Sequence, residues 1–191
     1  MIKNKEFKPI VKEDGRVLVK ARLSYVHLDA PWSGSDANEK KYCVSCIIPK
    51  SDKATLEALG KAVDMAKEEG KAKKWGVAIP KKLSLPLRDG DEEKEDEAYA
   101  DSFFFNASSK QPVKTFNRLK EEIDPKDIYS GAWGLVSLKM FPYEAAGNKG
   151  VGVGLNQVLL WADDEKLGGG GGGNDFADLD IEDEADDLDD L

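Results

Sequence analysis

Histidine and cysteine are nearly absent from this chain of 191 residues, which has one of the first, His27, and two of the second, Cys43 and Cys46. A structural zinc site needs about four ligands, so Cys43-x-x-Cys46 is half a site without a second half. On a strand, positions three apart also face opposite sides. The pair reads as core or surface cysteines, kept reduced in a cytoplasm. His27 has no Ser or Cys context from which a hydrolytic triad could be built. No apolar run approaches the 18 or so residues of a membrane span, and the first residues lead into charge, not into a secretory apolar region. The acidic stretches lack the glycine and spacing of a calcium-binding loop. Gly150-x-Gly152-x-Gly154 lacks the following helix and the Lys-Ser/Thr of a nucleotide loop, and reads as a strand that another backbone approaches closely. Neither a cofactor nor a resident metal is implied, and no catalytic constellation emerges.

Charge is abundant and unevenly placed. The chain carries 28 Lys and Arg against 37 Asp and Glu. Ten of those acids, and no base, fall in Asn174 to Leu191 (NDFADLDIEDEADDLDDL), which leaves 27 acids against 28 bases in the rest. Seven more acids and one Lys form the run Asp89 to Glu97 (DGDEEKEDE), read as a solvated loop. Without both segments the body is clearly basic, which favours an anionic partner such as nucleic acid. Six glycines, Gly168 to Gly173, tether the terminal segment, and a glycine run behaves as a flexible linker. Ten like charges with little apolar mass cannot form a core, so 174–191 is expected to be a disordered tail. Phe176, Leu179, Ile181, Leu188 and Leu191 punctuate it, a pattern suited to docking on a basic, partly apolar surface.

The body alternates. In Arg16 to Leu28, residues Val17, Val19, Ala21, Leu23 and Tyr25 share one face, with Lys20, Arg22 and Ser24 on the other, as in a half-buried strand. Asp29 to Glu39 is a loop containing Trp32. Lys40 to Ile48 is a second strand, with Tyr42, Val44, Cys46 and Ile48 on one face. Ser51 or Asp52 caps a helix running to Gly70, with Leu56, Leu59, Val63 and Ala66 as its stripe. Lys71 to Leu87 reads as an extended surface arm. Asp101 to Ala107 and Pro112 to Phe116 are short strands, and the segments 134–143 and 149–161 make a hairpin around Gly147-Asn148. Five or six strands, one main helix and long loops fit a small closed barrel, mainly β.

Bases interleave with aromatics along this body. Cations that follow a sugar-phosphate backbone and rings that stack bases are what single-strand binding requires. The residues expected to form such a groove are Arg22, Tyr25, Trp32, Lys41, Trp75, Lys82, Arg88 and Phe104. Trp133, Trp161, Phe103 and Phe105 are expected in the core, whereas Trp32 and Trp75 stand in polar segments.

Taken in order, GRVLVKARLSYVHL, IIPKSDKATLEAL, KKLSLPLRDGDEE, FFFNASSKQP, DIYSGAWGLVSLKMFPYEAAGNKGVGVGLNQV and the Gly-rich acidic C-terminus resemble the single-stranded DNA-binding proteins of tailed bacteriophages. These are an oligonucleotide/oligosaccharide-binding (OB) fold group, and the resemblance runs from about Gly15 to the end. It implies a five-stranded OB barrel over 1–167, a linker over 168–173 and a tail over 174–191. It further implies a non-enzymatic protein that coats single-stranded DNA, without strong sequence preference, during phage replication, recombination and repair in the cytoplasm of a bacterial host. Replication or recombination proteins would dock on the tail, and self-association is open. Two features depart from the pattern: the tail ends in Leu191 where several relatives have Phe, and the helix falls between strands two and three. The rival readings are an RNA- or duplex-binding architectural protein, and a metal-dependent nuclease accessory using Asp89, Asp91 and Glu92.

Overall fold

The computed structural model describes residues 2–33 and 39–167. The glycine run and acidic tail lie outside the described residues, so the expectations attached to Phe176, Leu179, Ile181, Leu188 and Leu191 do too. In chain order the elements are β1 (Ile10–Val11), β2 (Arg16–Trp32), β3 (Lys41–Pro49), α1 (Lys53–Lys73), β4 (Arg88–Asp89), α2 (Gly90–Glu93), β5 (Ser102–Ser109), β6 (Lys114–Phe116), β7 (Trp133–Ala145) and β8 (Asn148–Ala162), with short 3-10 turns at Glu97–Tyr99 and Pro125–Asp127.

Five of these strands close a ring. β2 pairs antiparallel with β3 and with β7, β3 with β5, and β7 with β8. Parallel contact of β5 with β8 at Ser108 and Gly154 completes it. The ring order β2-β3-β5-β8-β7 is that of an OB barrel, with α1 between its second and third strands, as expected. Period-two patterning fills the interior: Val17, Val19, Ala21 and Leu23 from β2 meet Val44, Cys46 and Ile48 from β3, Phe105 and Ala107 from β5, and Val136 and Leu138 from β7, all buried.

Asp52 starts α1, its carboxylate accepting from the Thr55 N–H at 3.2 Å and the Thr55 hydroxyl at 2.8 Å. Leu59, Ala62 and Ala66 then pack into the barrel core. Gly70 does not stop this helix, which continues to Lys73. A Cβ at Gly70 would sit 2.6 Å from the Trp75 indole, so the glycine is a gap that the ring fills. Trp75 is only 8% exposed, and its indole N–H donates to the Tyr143 carbonyl at 3.1 Å. The expectation of an exposed, stacking Trp75 is therefore corrected: the arm folds back and buries it. Farther along the arm Ser84 passes Gly150, its N–H donating to Lys149 O at 3.0 Å and its carbonyl accepting from the Val151 N–H at 2.9 Å. That is the close backbone approach expected of the glycine-rich strand.

Of the four aromatics expected in the core, Phe105 is fully buried, while Phe103, Trp133 and Trp161 are half-buried on the outside. On β7 and β8 the buried positions belong to Gly134 and Val136, and to Val158 and Ala162, which turns both tryptophans outward. Lys20 lies 5.2 Å from the Trp133 ring centroid and Arg118 lies 4.3 Å from that of Trp161. Residues 146 and 147 make the β7–β8 turn, both at positive φ (50° and 80°), one position earlier than the sequence suggests.

Candidate nucleic-acid interface

Alternation places Cys43 and Ser45 of β3, and Asn106 and Ser108 of β5, on the outer surface of the barrel. Ser45 faces Asn106 and Cys43 faces Ser108 across the ladder. These four small or polar residues floor a groove of about 450 Å³ whose walls carry Tyr25, His27, Trp32, Lys41 and Lys94.

A break in β2 supplies the aromatic wall. The register with β3 shifts between Ser24 and His27, and Tyr25 adopts φ +47°, a conformation uncommon for a bulky residue. Strict alternation would put Tyr25 inside with Leu23. The left-handed residue instead turns its ring out, 57% exposed. Such local strain clusters at ligand sites. Two residues further on, His27 lies under Trp32, with ring centroids 4.9 Å apart and planes 4° from parallel. Trp32 is thereby held in place while 54% of its surface stays open. Lys41 opens β3 beside it, within 3.6 Å of the Glu39 carboxylate.

Lys94 brings the acidic run to the same groove, and that run is not the free loop the sequence suggests. It folds into α2 and the turn at Glu97–Tyr99. Lys50 Nζ bridges Asp89 at 2.9 Å and Asp91 at 2.8 Å, and Arg88 forks onto Glu93 at 2.7 and 2.9 Å. These bonds hold the Asp91 carboxyl below its usual range, chiefly through Lys50. They push the Lys50 ammonium up, chiefly through Asp91. The Tyr99 hydroxyl donates to Ser45 Oγ at 3.0 Å, and its ring meets Phe104 edge-on at 5.2 Å. Asp89 and Asp91, offered as metal ligands in the nuclease reading, are thus both engaged by one lysine. Among the described residues no group of three or more His, Cys, Asp or Glu is arranged to hold a metal. Nor is any described helix long and apolar enough to cross a membrane.

Of the eight groove residues expected from sequence, Tyr25, Trp32 and Lys41 come together here. Arg22 points outward from β2, but its guanidinium is occupied: it donates to Gly131 O at 3.1 Å and Glu165 O at 3.0 Å, and lies 3.7 Å from Asp164. Arg88 is bound to Glu93 and lies 5.4 Å from the Phe104 ring centroid. Lys82 is exposed on the arm, outside the groove lining. Phe104 is corrected: at 1% exposure it packs with Tyr99 and Ile47 and has no face open for a base. Sequence reasoning missed the floor residues, although Asn106 and Ser108 alternate with buried Phe105 and Ala107. It also missed Lys94, whose signal was to be the one base in the acidic run. Cys43 sits in the floor half-buried, and burial pushes its thiol up.

The chain leaves the barrel next to this groove. Leu167 packs against Ile47, Tyr99 and Phe104, and its N–H donates to Ser130 O at 2.8 Å.

Comparison with known proteins gives a consistent result. The family described as "Enterobacter phage Enc34, ssDNA-binding protein" matches residues 16–188. A solved structure of the single-stranded DNA-binding protein from bacteriophage Enc34 in complex with ssDNA is 25% identical with TM-score 0.75, covering 87% of this chain and 97% of that one. Another structure of the Enc34 protein is 24% identical with TM-score 0.73, covering 93% and 96%. The single-stranded DNA-binding protein gp2.5 of bacteriophage T7, at 17% identity and TM-score 0.51 over 91% of this chain and all (100%) of that one, shares the fold. No curated protein sequence matches.

Proposed function

This chain belongs to the family of the Enterobacter phage Enc34 single-stranded DNA-binding protein, and from that membership we propose that it binds single-stranded DNA in the groove across β3 and β5. The observation that carries the assignment of the site is the union of two exposed rings, Tyr25 and Trp32, with Lys41 on one wall of one groove. Rings offer a π-face to any base, and each stacked base is worth about 1–3 kcal/mol without sequence readout. Binding is therefore tolerant of sequence, as coating during phage replication, recombination and repair requires. Lys82, exposed on the arm, and Arg88, if released from Glu93, are secondary contacts. Arg22 contributes only if it exchanges its carbonyl partners for phosphate.

The division into a barrel over 1–167, a linker over 168–173 and a tail over 174–191 completes the reading. Ten carboxylates on a tether imitate a run of phosphates and compete for the same cations. Displaced by DNA, the tail is free to dock replication proteins through Phe176, Leu179, Ile181, Leu188 and Leu191.

The test is a titration against oligonucleotides of graded length and mixed sequence as salt is varied, with duplex DNA and RNA as competitors. Each single-strand phosphate neutralised contributes roughly −0.7 to the log–log slope. The expected slope is steeper than about −2, with single-stranded DNA preferred. A flat salt response would overturn the groove, and a preference for duplex or RNA would favour the architectural reading.

A further inference from the structure

An acidic run against the groove of a polyanion-binding protein is electrostatically unfavourable on its face, and Lys94 accounts for it. The run is rigidly mounted. Besides the Lys50 and Arg88 pairs, Asp96 accepts from the Ala98 N–H at 3.0 Å, and Asp91 accepts from the Asp101 N–H at 2.9 Å. Gly90 is tucked so closely that a Cβ there would lie 2.2 Å from Tyr99 O. This mounting fixes the backbone of Lys94, whose N–H donates to Gly90 O at 3.1 Å at the end of α2. Its ammonium is then held 5.5 Å from the Tyr25 ring centroid, 5.3 Å from that of Tyr99 and 5.4 Å from that of Phe104. Glu93 and Glu95 flank it in sequence, yet none of the ion pairs among the described residues involves Lys94. Asp89 and Asp91 are engaged by Lys50, Glu93 by Arg88 and Asp96 by a backbone N–H. The ring cluster, not a neighbouring acid, holds the lysine, and it lines the same groove as Lys41.

We propose that Lys94 is a phosphate-binding residue of this groove, gripping a phosphodiester of the single strand beside the base stacked on Tyr25. The proposal rests on the groove reading above. It also explains the acidic run, which serves to present one cation on the wall that carries the Tyr99–Phe104 cluster.

The experiment compares full-length wild type with Lys94→Gln, Lys94→Met, Lys94→Arg and Trp32→Ala, using a mixed-sequence oligonucleotide across a range of salt, with melting temperatures in parallel. Loss of one phosphate contact flattens the slope by about 0.7, so the affinity gap to wild type is about eightfold wider at about 50 mM than at about 1 M salt. Lys94→Gln and Lys94→Met should both show this loss, and Lys94→Arg should restore the slope. A purely structural lysine would lower the melting temperature and leave the slope of the folded protein unchanged, which overturns the proposal. If Trp32→Ala weakens binding while both neutral Lys94 variants match wild type, the groove stands and Lys94 is not part of it. If all four variants bind as wild type, the groove reading fails and takes this proposal with it.

Discussion

Trp32 and Trp75 stand in similar company, each beside small and polar residues, and the fold treats them oppositely. Trp32→Ala should weaken single-strand binding by about 1–3 kcal/mol and leave the melting temperature nearly unchanged, because the ring is 54% exposed. Trp75→Ala should do the reverse. Emptying a site packed against Gly70 and capped by Tyr143 O costs about 3–5 kcal/mol of stability. Affinity per folded molecule should hold. Titration and thermal melts of the two variants would exchange these outcomes if the assignments were wrong. Nothing near Trp75 in the sequence marks its burial, because the partner carbonyl lies 68 positions away. Tyr25 fails the alternation rule for a different reason: one left-handed φ inverts it, and no glycine announces the bend. Phe104 was legible as apolar on both faces of its strand. What could not be read was that the outer face is roofed by Tyr99, a residue inside an acidic, polar segment.

At the scale of elements, pattern carried further. The alternation of Val17, Val19, Ala21 and Leu23, the Asp52 cap and the β7–β8 hairpin all follow from local chemistry, and the structure has them. The acidic run was illegible because its order depends on Lys50, which pairs with it from 39 and 41 positions away. That pairing has a pH signature. The Asp91 carboxyl is held below its ordinary 3.8, so its contribution is complete above that value and is lost as pH falls through the lower folded value. The Lys50 ammonium is held above its ordinary 10.5, so its contribution is complete below that value and is lost only as pH rises beyond it. Between these limits the run stays pinned. Acidification below about pH 4 should release it before the barrel melts, read as a local change in the amide resonances of Asp91 and Asp101. A single global transition, with no earlier local one, would contradict this.

For the whole molecule, the point of departure of the terminal segment matters most. Leu167 is seated by Ile47, Tyr99 and Phe104, beside the groove. On the proposed reading of 168–191 as tether and tail, its 24 residues would have a root-mean-square reach of roughly 25–29 Å, against a radius of gyration of about 15 Å for a body of this size. Its local concentration at the groove would then be near millimolar. Deleting 174–191 should tighten DNA binding at low salt, with the gain shrinking as salt screens the contest. Equal affinity of the full-length and truncated proteins at low salt would show that the tail serves partners alone.

The ring of strands is closed by one parallel pair, Ser108 with Gly154. The hairpin ladder of β7 and β8, by contrast, runs from Trp133–Ala162 to Ala145–Asn148. A single bridge supplies little pairing to hold a seam shut, whereas β2 and β7 pair at every position from Arg16–Lys139 to Arg22–Trp133. This seam should therefore open first in the native state. Ser108 also floors the groove, so a strand lying across it would act as a staple on the seam. Amide exchange at Ser108 and Gly154 should be the fastest in the barrel strands without DNA, and should slow the most when an oligonucleotide is bound. Occupancy of the groove and closure of the barrel would then be a single equilibrium, with ligand and fold each holding the other shut.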